Sequence, residues 1–256
     1  MPTTLNHKAY IINAASETNR WQAIFAQIDF LNMPVERIEA VMGKVLSVEE
    51  LSVWYSPTKN TRHFHKPLLL GEIGCYASHI TAWRKILTDQ LDWALIIEDD
   101  AILSPDIGVM LETLTARVDF NVVDMVKLRG RAEEQSTRKW RVSDGLELVA
   151  YERIPSCTTG YILTAHGARK LLAHNPPVAS PSPVDIDICN WWLFDLHVVG
   201  AQPYPIKSNH EYASMIGSRP SKGILQQLKR LWQHKRNKIQ RRRALRHQTW
   251  LNDVLL

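Results

Sequence analysis

Three consecutive acids, Glu98, Asp99 and Asp100, follow directly on the run Trp93-Ala94-Leu95-Ile96-Ile97. An unbroken apolar run of this length reads as a strand covered on both faces. In open α/β sheets, ligands bind beyond the carboxyl ends of the strands. Carboxylates gathered there repel one another unless a cation joins them, and all-oxygen ligands suit Mg2+ or Mn2+. Alternation along the chain would turn Glu98 and Asp100 to the same side. The plainer alternative is a solvated acidic turn, or a set of caps for a helix starting near Pro105.

The neighbouring segments supply elements to hold such a crevice. Lys8 to Asn13 reads as a buried first strand, followed by Ser16 as an N-cap. Trp21, Ile24, Phe25, Ile28 and Leu31 then recur at helical spacing. Val35 to Val41 reads as a short strand, and Ser47 to Glu50 has capping-box spacing. Tyr55 to Lys66 reads as a polar loop, whose His63 and His65 have too little around them for a metal site. Ile73, Tyr76, Ala77, Ile80, Trp83 and Leu87 share one helical face.

Further along, a helix over Pro105–Val118, a strand over Val122–Leu128 and a polar hairpin or lid over Arg129–Glu152 are predicted. A strand at Thr159–Leu163, helices at His166–His174 and Val184–Leu196, and a last strand at His197–Ile206 complete the body. Strands alternating with helices imply an α/β layered domain with a largely parallel sheet.

Composition narrows the class. The 256 residues are 45% apolar and 22% charged, which is ordinary for a globular chain able to bury a full core. Three distant cysteines form no CxxC pair, which argues against a disulfide framework and for a reducing compartment. No apolar run reaches the ~18 residues of a membrane span, and no signal-peptide core is evident, so a cytoplasmic protein is expected. Ten Lys or Arg and no acid lie between Lys222 and His247; taking those ten from the net +5 leaves −5 for the rest. The reading is a mildly acidic body, 1–215, carrying a basic tail, 216–256.

The stretch Gly71-Glu72-Ile73-Gly74-Cys75-Tyr76-Ala77-Ser78-His79, then Trp83, then Ala94 to Asp100, resembles glycosyltransferase family 25. That family contains the lipooligosaccharide galactosyltransferases and collagen galactosyltransferase domains. Three weaker matches keep the same order. They are Ile12-Asn13 with Arg20, Thr159-Gly160-Tyr161-Ile162-Leu163 with Gly167 to Leu171, and Pro183-Val184-Asp185. Ala15 and Ser16 depart from the pattern, standing where the family often has Asp and Arg. The resemblance implies a GT-A-like α/β fold with a nucleotide-sugar-binding sheet flanked by helices. It also implies a UDP-sugar donor, a divalent metal at the acidic motif, and inversion at the anomeric carbon.

Under that resemblance the residues take roles. Asp100 would hold the metal, with help from Glu98 or Asp99, and stabilise charge on the departing diphosphate. Glu98 could instead reach the ribose. A late His often completes such a site, which makes His210 a candidate ligand, although a loop His is the plainer reading. Asn13 and Arg20 flank the first strand-to-helix crossing, where uracil or diphosphate would lie; Arg20 could also be a plain surface cation. Glu72, Ser78 and His79 could line the donor or acceptor crevice, and Ser78 and His79 could equally form a buried hydrogen-bonded pair. The base that takes the acceptor proton is assigned to Asp185, with Asp187 in reserve, one of the two being an ordinary N-cap. Trp191 and Trp192 either stack on a sugar or fill the core.

In the tail, Ile224, Leu225, Leu228, Leu231 and Trp232 recur at helical spacing among cations, as in an amphipathic membrane-surface helix. Residues 222–247 would hold the protein against the anionic inner face of the cytoplasmic membrane, beside a lipid-linked oligosaccharide acceptor. Acidic phosphates on such an acceptor could bind the same tail. Two other classes compete: a non-catalytic nucleotide-sugar-binding or assembly protein of the same fold, and a nucleic-acid partner recruited by the tail. No nucleic-acid module is evident in the acidic body, so no specific nucleic acid is expected.

Overall fold

The computed structural model describes residues 5–130, 134–174, 182–209, 212 and 224–256. His210, Lys222 and Gly223 lie outside the described residues. Strand β1 (His7–Asn13) leads to α1 (Thr18–Phe25), a 3-10 turn (Ile28–Leu31) and β2 (Val35–Glu39). Two short helices, α2 (Val48–Trp54) and α3 (Pro57–His63), precede the long α4 (Leu70–Thr88). Then come β3 (Trp93–Glu98), β4 (Ala101–Leu103), α5 (Ile107–Arg117) and β5 (Met125–Lys127). The hairpin β6 (Ser136–Ser143) and β7 (Leu146–Tyr151) is followed by β8 (Gly160–Thr164) and α6 (Ala165–His174). The chain closes with α7 (Val184–Cys189), a turn at Trp191–Leu193, β9 (Val198–Gln202), β10 (Ile206–Ser208), α8 (Ile224–Leu245) and a turn at Thr249–Asn252.

Eight strands form one sheet in the order β2-β1-β3-β8-β5-β9-β7-β6. Six of them run one way; β7 and β8 run the other. Helices cover both faces, because the side chains of the central strands are apolar on both. On β1, Tyr10 and Ile12 enter one core while Ala9 and Ile11 enter the other. β3 divides the same way, with Ala94 and Ile96 against Leu95 and Ile97. This period of two is what a doubly covered strand requires. Each fully buried Ile or Leu contributes about 1.5–3 kcal/mol to that layering. The first core holds Trp83 of α4 and Leu171 of α6, and the second holds Leu111 and Leu114 of α5. This is the α/β sheet flanked by helices expected from the sequence.

Several local expectations are corrected. The cap of α1 is Glu17, not Ser16, and no side chain closes it. The segment expected as a loop after Tyr55 contains α3, capped by the Ser56 hydroxyl, which accepts from Lys59 N, with Pro57 at the first turn. The single helix expected over Val184–Leu196 breaks at Asn190 into α7 and a 3-10 turn. The last strand divides at Pro203-Tyr204-Pro205, and β10 leaves the main sheet to pair with β4. The polar stretch after Arg129 is, as one of its two expected forms, a hairpin, β6–β7, turned at Gly145 with φ +76°.

Residues 224–256 pack back onto the body. Lys229 Nζ donates to Thr61 O at 2.6 Å and Gln233 Nε2 to His63 O at 2.7 Å. Asn237 donates to Asn190 Oδ1 at 3.1 Å, and Ala244 and Leu245 pack against the first core. Trp250 stacks on His197, Val118 bridges to Leu255, and Val254 is fully buried. No helix among the described residues is long and apolar enough to cross a membrane.

Candidate active site

The acidic motif sits at the carboxyl end of β3, beside the carboxyl end of β1. A cleft of about 640 Å³ opens there. Asn13, Arg20, Ser78, His79, Glu98, Asp99 and Asp100 all border it. Seven of the ten sequence candidates therefore converge on one cavity. Their contributions differ.

Asn13 Nδ2 donates to Asp99 Oδ2 at 2.7 Å, and Arg20 Nη1 donates to Asp99 Oδ1 at 3.1 Å. Asp99 thus ties β1 and α1 to the turn after β3. Its carboxyl is nonetheless raised above the ordinary value, because burial outweighs both hydrogen bonds. The Arg20 guanidinium also lies 5.0 Å from the Tyr212 ring, so it belongs to the cleft wall and is not a free surface cation.

Asp100 is the group in the turn with an unmet need. Its Oδ1 is buried and has no hydrogen-bond partner. Burial first, then the charges of Glu98 and Asp99, push its carboxyl up to about 7. A carboxylate in that position is costly alone and is repaid by a cation. Its orphaned oxygen is a hard donor of the kind a divalent cation takes.

Glu98 is held differently. Trp83 Nε1 donates to the Tyr161 hydroxyl at 2.9 Å, which leaves the phenol proton for His79 Nδ1 at 2.8 Å. His79 therefore carries its proton on Nε2 and gives it to Glu98 Oε1 at 3.0 Å. Thr158 Oγ1 donates to the same oxygen at 2.5 Å. Burial works to raise Glu98, but His79, Thr158 and the field of Lys127 outweigh it and hold the carboxyl below its usual range. Cys75, His79 and Glu98 offer three metal-ligand atoms within 4.8 Å of one another. In the present arrangement the His79 nitrogen is a donor, and burial pushes the Cys75 thiol well up. That set would have to lose the Cys75 proton and move the His79 proton to Nδ1 to bind.

The motif around α4 has a physical rationale. Gly74 passes against the backbone of Val41 and Gly43, with no room for a β-carbon. Ser78 Oγ accepts from Val41 N at 2.8 Å and donates to Gly74 O at 2.8 Å. Glu72 caps the start of α4 by accepting from Leu69 N at 2.8 Å. Together these fix α4 against the 41–44 loop, which forms the opposite wall of the cleft. Ser78 is thus a wall-fixing residue that also borders the cavity.

A second cleft of about 480 Å³ shares Cys75, Glu98 and Cys157 with the first. Asp185 lines it, raised above the ordinary value chiefly by burial. Asp187 is turned the other way. It is buried, accepting from Tyr76 at 3.0 Å and from Ser182, and burial pushes it up to about 7. Asp187, the reserve candidate for the base, thus sits in a buried hydrogen-bonded cluster and borders neither cleft. Trp191 is buried in the core, and Trp192 packs against it at 78°; neither borders a cleft. His210 lies outside the described residues.

Reading the sequence missed Lys127, Thr158 and Tyr161, which hold Glu98, and Lys44 and Arg129, which border the first cleft. Lys127 is fully buried, donates to Cys157 O and lies 5.7 Å from the Tyr161 ring. A lysine ending the buried run Met125-Val126-Lys127 was the available signal.

A sequence profile described as glycosyltransferase family 25 (LPS biosynthesis protein) matches residues 6–188. The chain belongs to that family. The match spans β1 through most of α7 and so includes every described site residue named above from Asn13 to Asp187. Among curated relatives, a "Glycosyltransferase 25 family member" of Drosophila pseudoobscura pseudoobscura is 30% identical over 72% of this chain and 30% of its own length. One of the same description from Anopheles gambiae is 28% identical over 71% of this chain and 31% of its own. Human "Procollagen galactosyltransferase 2" is 26% identical over 65% and 27% respectively. The chain thus spans less than a third of the length of these relatives.

Proposed function

We propose that the protein is a metal-dependent, inverting glycosyltransferase that moves galactose from UDP-galactose onto a lipooligosaccharide or related glycan. The observation that carries the reading is the orphaned Asp100 oxygen, in a cleft that meets the Asp185 cleft at Glu98. The family description supports a lipopolysaccharide-type acceptor, and the procollagen galactosyltransferases support galactose.

In this reading the first cleft takes the donor and the second the acceptor. Asn13 and Arg20 anchor Asp99, which sets the turn that presents Asp100. Lys44 and Arg129 supply positive charge along the diphosphate wall. Asp100, with Glu98 or Asp99, would hold Mn2+ or Mg2+. A bound cation supplies stabilisation of the charge that grows on the leaving diphosphate. Asp185 takes the proton from the acceptor hydroxyl, and its place in the adjoining cleft suits attack from the face opposite the leaving group. His79 and Lys127 keep Glu98 ionised at the junction.

The exposed Leu228, Leu231 and Trp232 on α8, amid its cations, support contact with an anionic membrane surface at the cytoplasmic face. Each Lys or Arg there is worth about 1 kcal/mol. Flotation with anionic against neutral vesicles tests this part; equal recovery would remove it.

The reaction is tested by UDP release from a panel of UDP-sugars, with Mn2+ or chelator, for the wild type and Asp100→Asn. Metal-dependent release from UDP-galactose, lost in the variant, is expected. No calorimetric binding of any UDP-sugar would overturn the reading.

A further inference from the structure

The second cleft has a charge pattern that a neutral acceptor does not call for. Its half-buried acids are Glu72, Glu98 and Asp185. Two of them are engaged internally: Glu72 caps α4, and Glu98 accepts from His79 and Thr158. Asp185 is left for the acceptor hydroxyl. Three cations border the same cavity: Lys66 after α3, Arg153 after β7, and Arg230 on α8. Arg153 and Arg230 are exposed, and among the described residues neither makes an ion pair or hydrogen bond. They come from segments far apart in sequence, so a shared helix face does not explain their meeting. Both border the same cavity as His234, whose pKa their fields, with that of Arg241, help burial to lower.

The position of Arg230 is set by the docking of α8. Its neighbour Lys229 is fixed to Thr61 O at 2.6 Å. One turn on, Gln233 is fixed to His63 O at 2.7 Å and lies 3.1 Å from His65 Nδ1. Arg230 lies between these contacts and borders the cavity. The basic helix is therefore part of the cleft wall, in addition to any surface role.

We propose that the second cleft is a subsite for an anionic acceptor glycan, with Arg153 and Arg230 binding a phosphate or carboxylate on the sugar while Asp185 faces the reacting hydroxyl. Guanidinium groups suit this task because their planar forks pair with both kinds of oxyanion. The inference deepens the glycosyltransferase reading and rests on its assignment of the acceptor side.

The test measures binding of glucose, glucose 6-phosphate, glucuronic acid and inorganic phosphate to the full chain by calorimetry, with UDP binding measured separately. The two charged sugars are expected to bind at least tenfold more tightly than glucose and more tightly than free phosphate. A preference for one of them identifies the oxyanion. Arg230→Gln and Arg153→Gln, on separate segments, should each cut that preference about tenfold and leave UDP affinity unchanged. Equal binding of neutral and charged sugars overturns the proposal, as does a preference that survives both substitutions. Free phosphate binding as well as the sugar phosphate would show an anion site without a glycan subsite, and also overturns it. Failure of UDP to bind counts against the glycosyltransferase reading alone, because the sugar measurements do not depend on it.

Discussion

Replacing Gly74 by Ala would test whether the close approach of α4 to the 41–44 loop shapes the donor cleft. A β-carbon at position 74 would stand 2.8 Å from the Gly43 nitrogen and closer still to the Val41 carbonyl oxygen. Both are backbone atoms, so no rotamer change relieves the overlap. Restoring ordinary contact requires the loop to retreat by about 1 Å, an overpacking strain worth roughly 1–3 kcal/mol. The retreat also stretches the 2.8 Å bond from Val41 N to Ser78 Oγ. Losing that bond adds about 1 kcal/mol, for a total near 2–4 kcal/mol. Val41, Met42, Gly43 and Lys44 all border the cleft. A displacement of about 1 Å in a positioning wall costs on the order of 100-fold in rate. The assay pairs urea denaturation with kcat/KM for UDP-sugar hydrolysis and calorimetric UDP affinity. Ser78→Ala is the control: it removes the bond and keeps the spacing, so about 1 kcal/mol and a smaller loss of affinity are expected. A Gly74→Ala protein with the wild-type urea midpoint and UDP affinity within twofold would refute the reasoning.

Three further outcomes are expected. Asp185→Asn should lower transfer to an acceptor by about 10²–10⁴-fold with UDP affinity unchanged. The base acts ionised and burial raises its pKa, so wild-type kcat/KM should fall on acidification at a pH above the ordinary value of 3.8; a profile with no such acid limb opposes the assignment. Tyr161→Phe leaves the buried Trp83 N–H and His79 Nδ1 without their shared partner, at a cost of about 1–3 kcal/mol for each group, read by denaturation; an unchanged midpoint would mean the relay is not formed. Asp187 is raised from 3.8 to about 7, so its burial favours the protonated form. Its contribution is complete below pH 3.8 and is lost as pH rises through 7. The stability of the wild type relative to Asp187→Asn should therefore fall between about pH 4 and 7 and level off above, and a difference independent of pH would contradict the buried placement.

The elements that carry the site were legible because their patterns are local. The run before Glu98 needs two covered faces, and the acids after it need a strand end. The Gly-x-x-Gly-Cys spacing on α4 also pointed to the cleft, although its reason was not visible. Gly74 answers to a backbone about thirty residues earlier, which no helical period reveals. The partners of Glu98 were hidden for a different reason. β8 and β5 enter the sheet beside β3 out of chain order, and that brings Tyr161, Thr158 and Lys127 to the acid. Asp185 and Asp187 could not be separated from sequence. Two residues apart on a helix, they point about 200° apart. Which one meets solvent depends on what the helix lies against.

The sequence by itself determined the layered α/β class, the doubly covered β1 and β3, and the placement of carboxylates at a strand end. Each follows from local periodicity or from charge set against an apolar run. Tertiary structure decided which acid keeps an unpartnered oxygen, which acid is held ionised through Trp83, Tyr161 and His79, and which of two neighbouring aspartates reaches a cleft. It also turned a basic stretch that reads as a separate tail into a helix docked on the body, with Arg230 in a cavity wall. Those outcomes depend on distances between residues 70 to 170 positions apart in the chain. Strand order and helix docking set such distances, and nothing local encodes them.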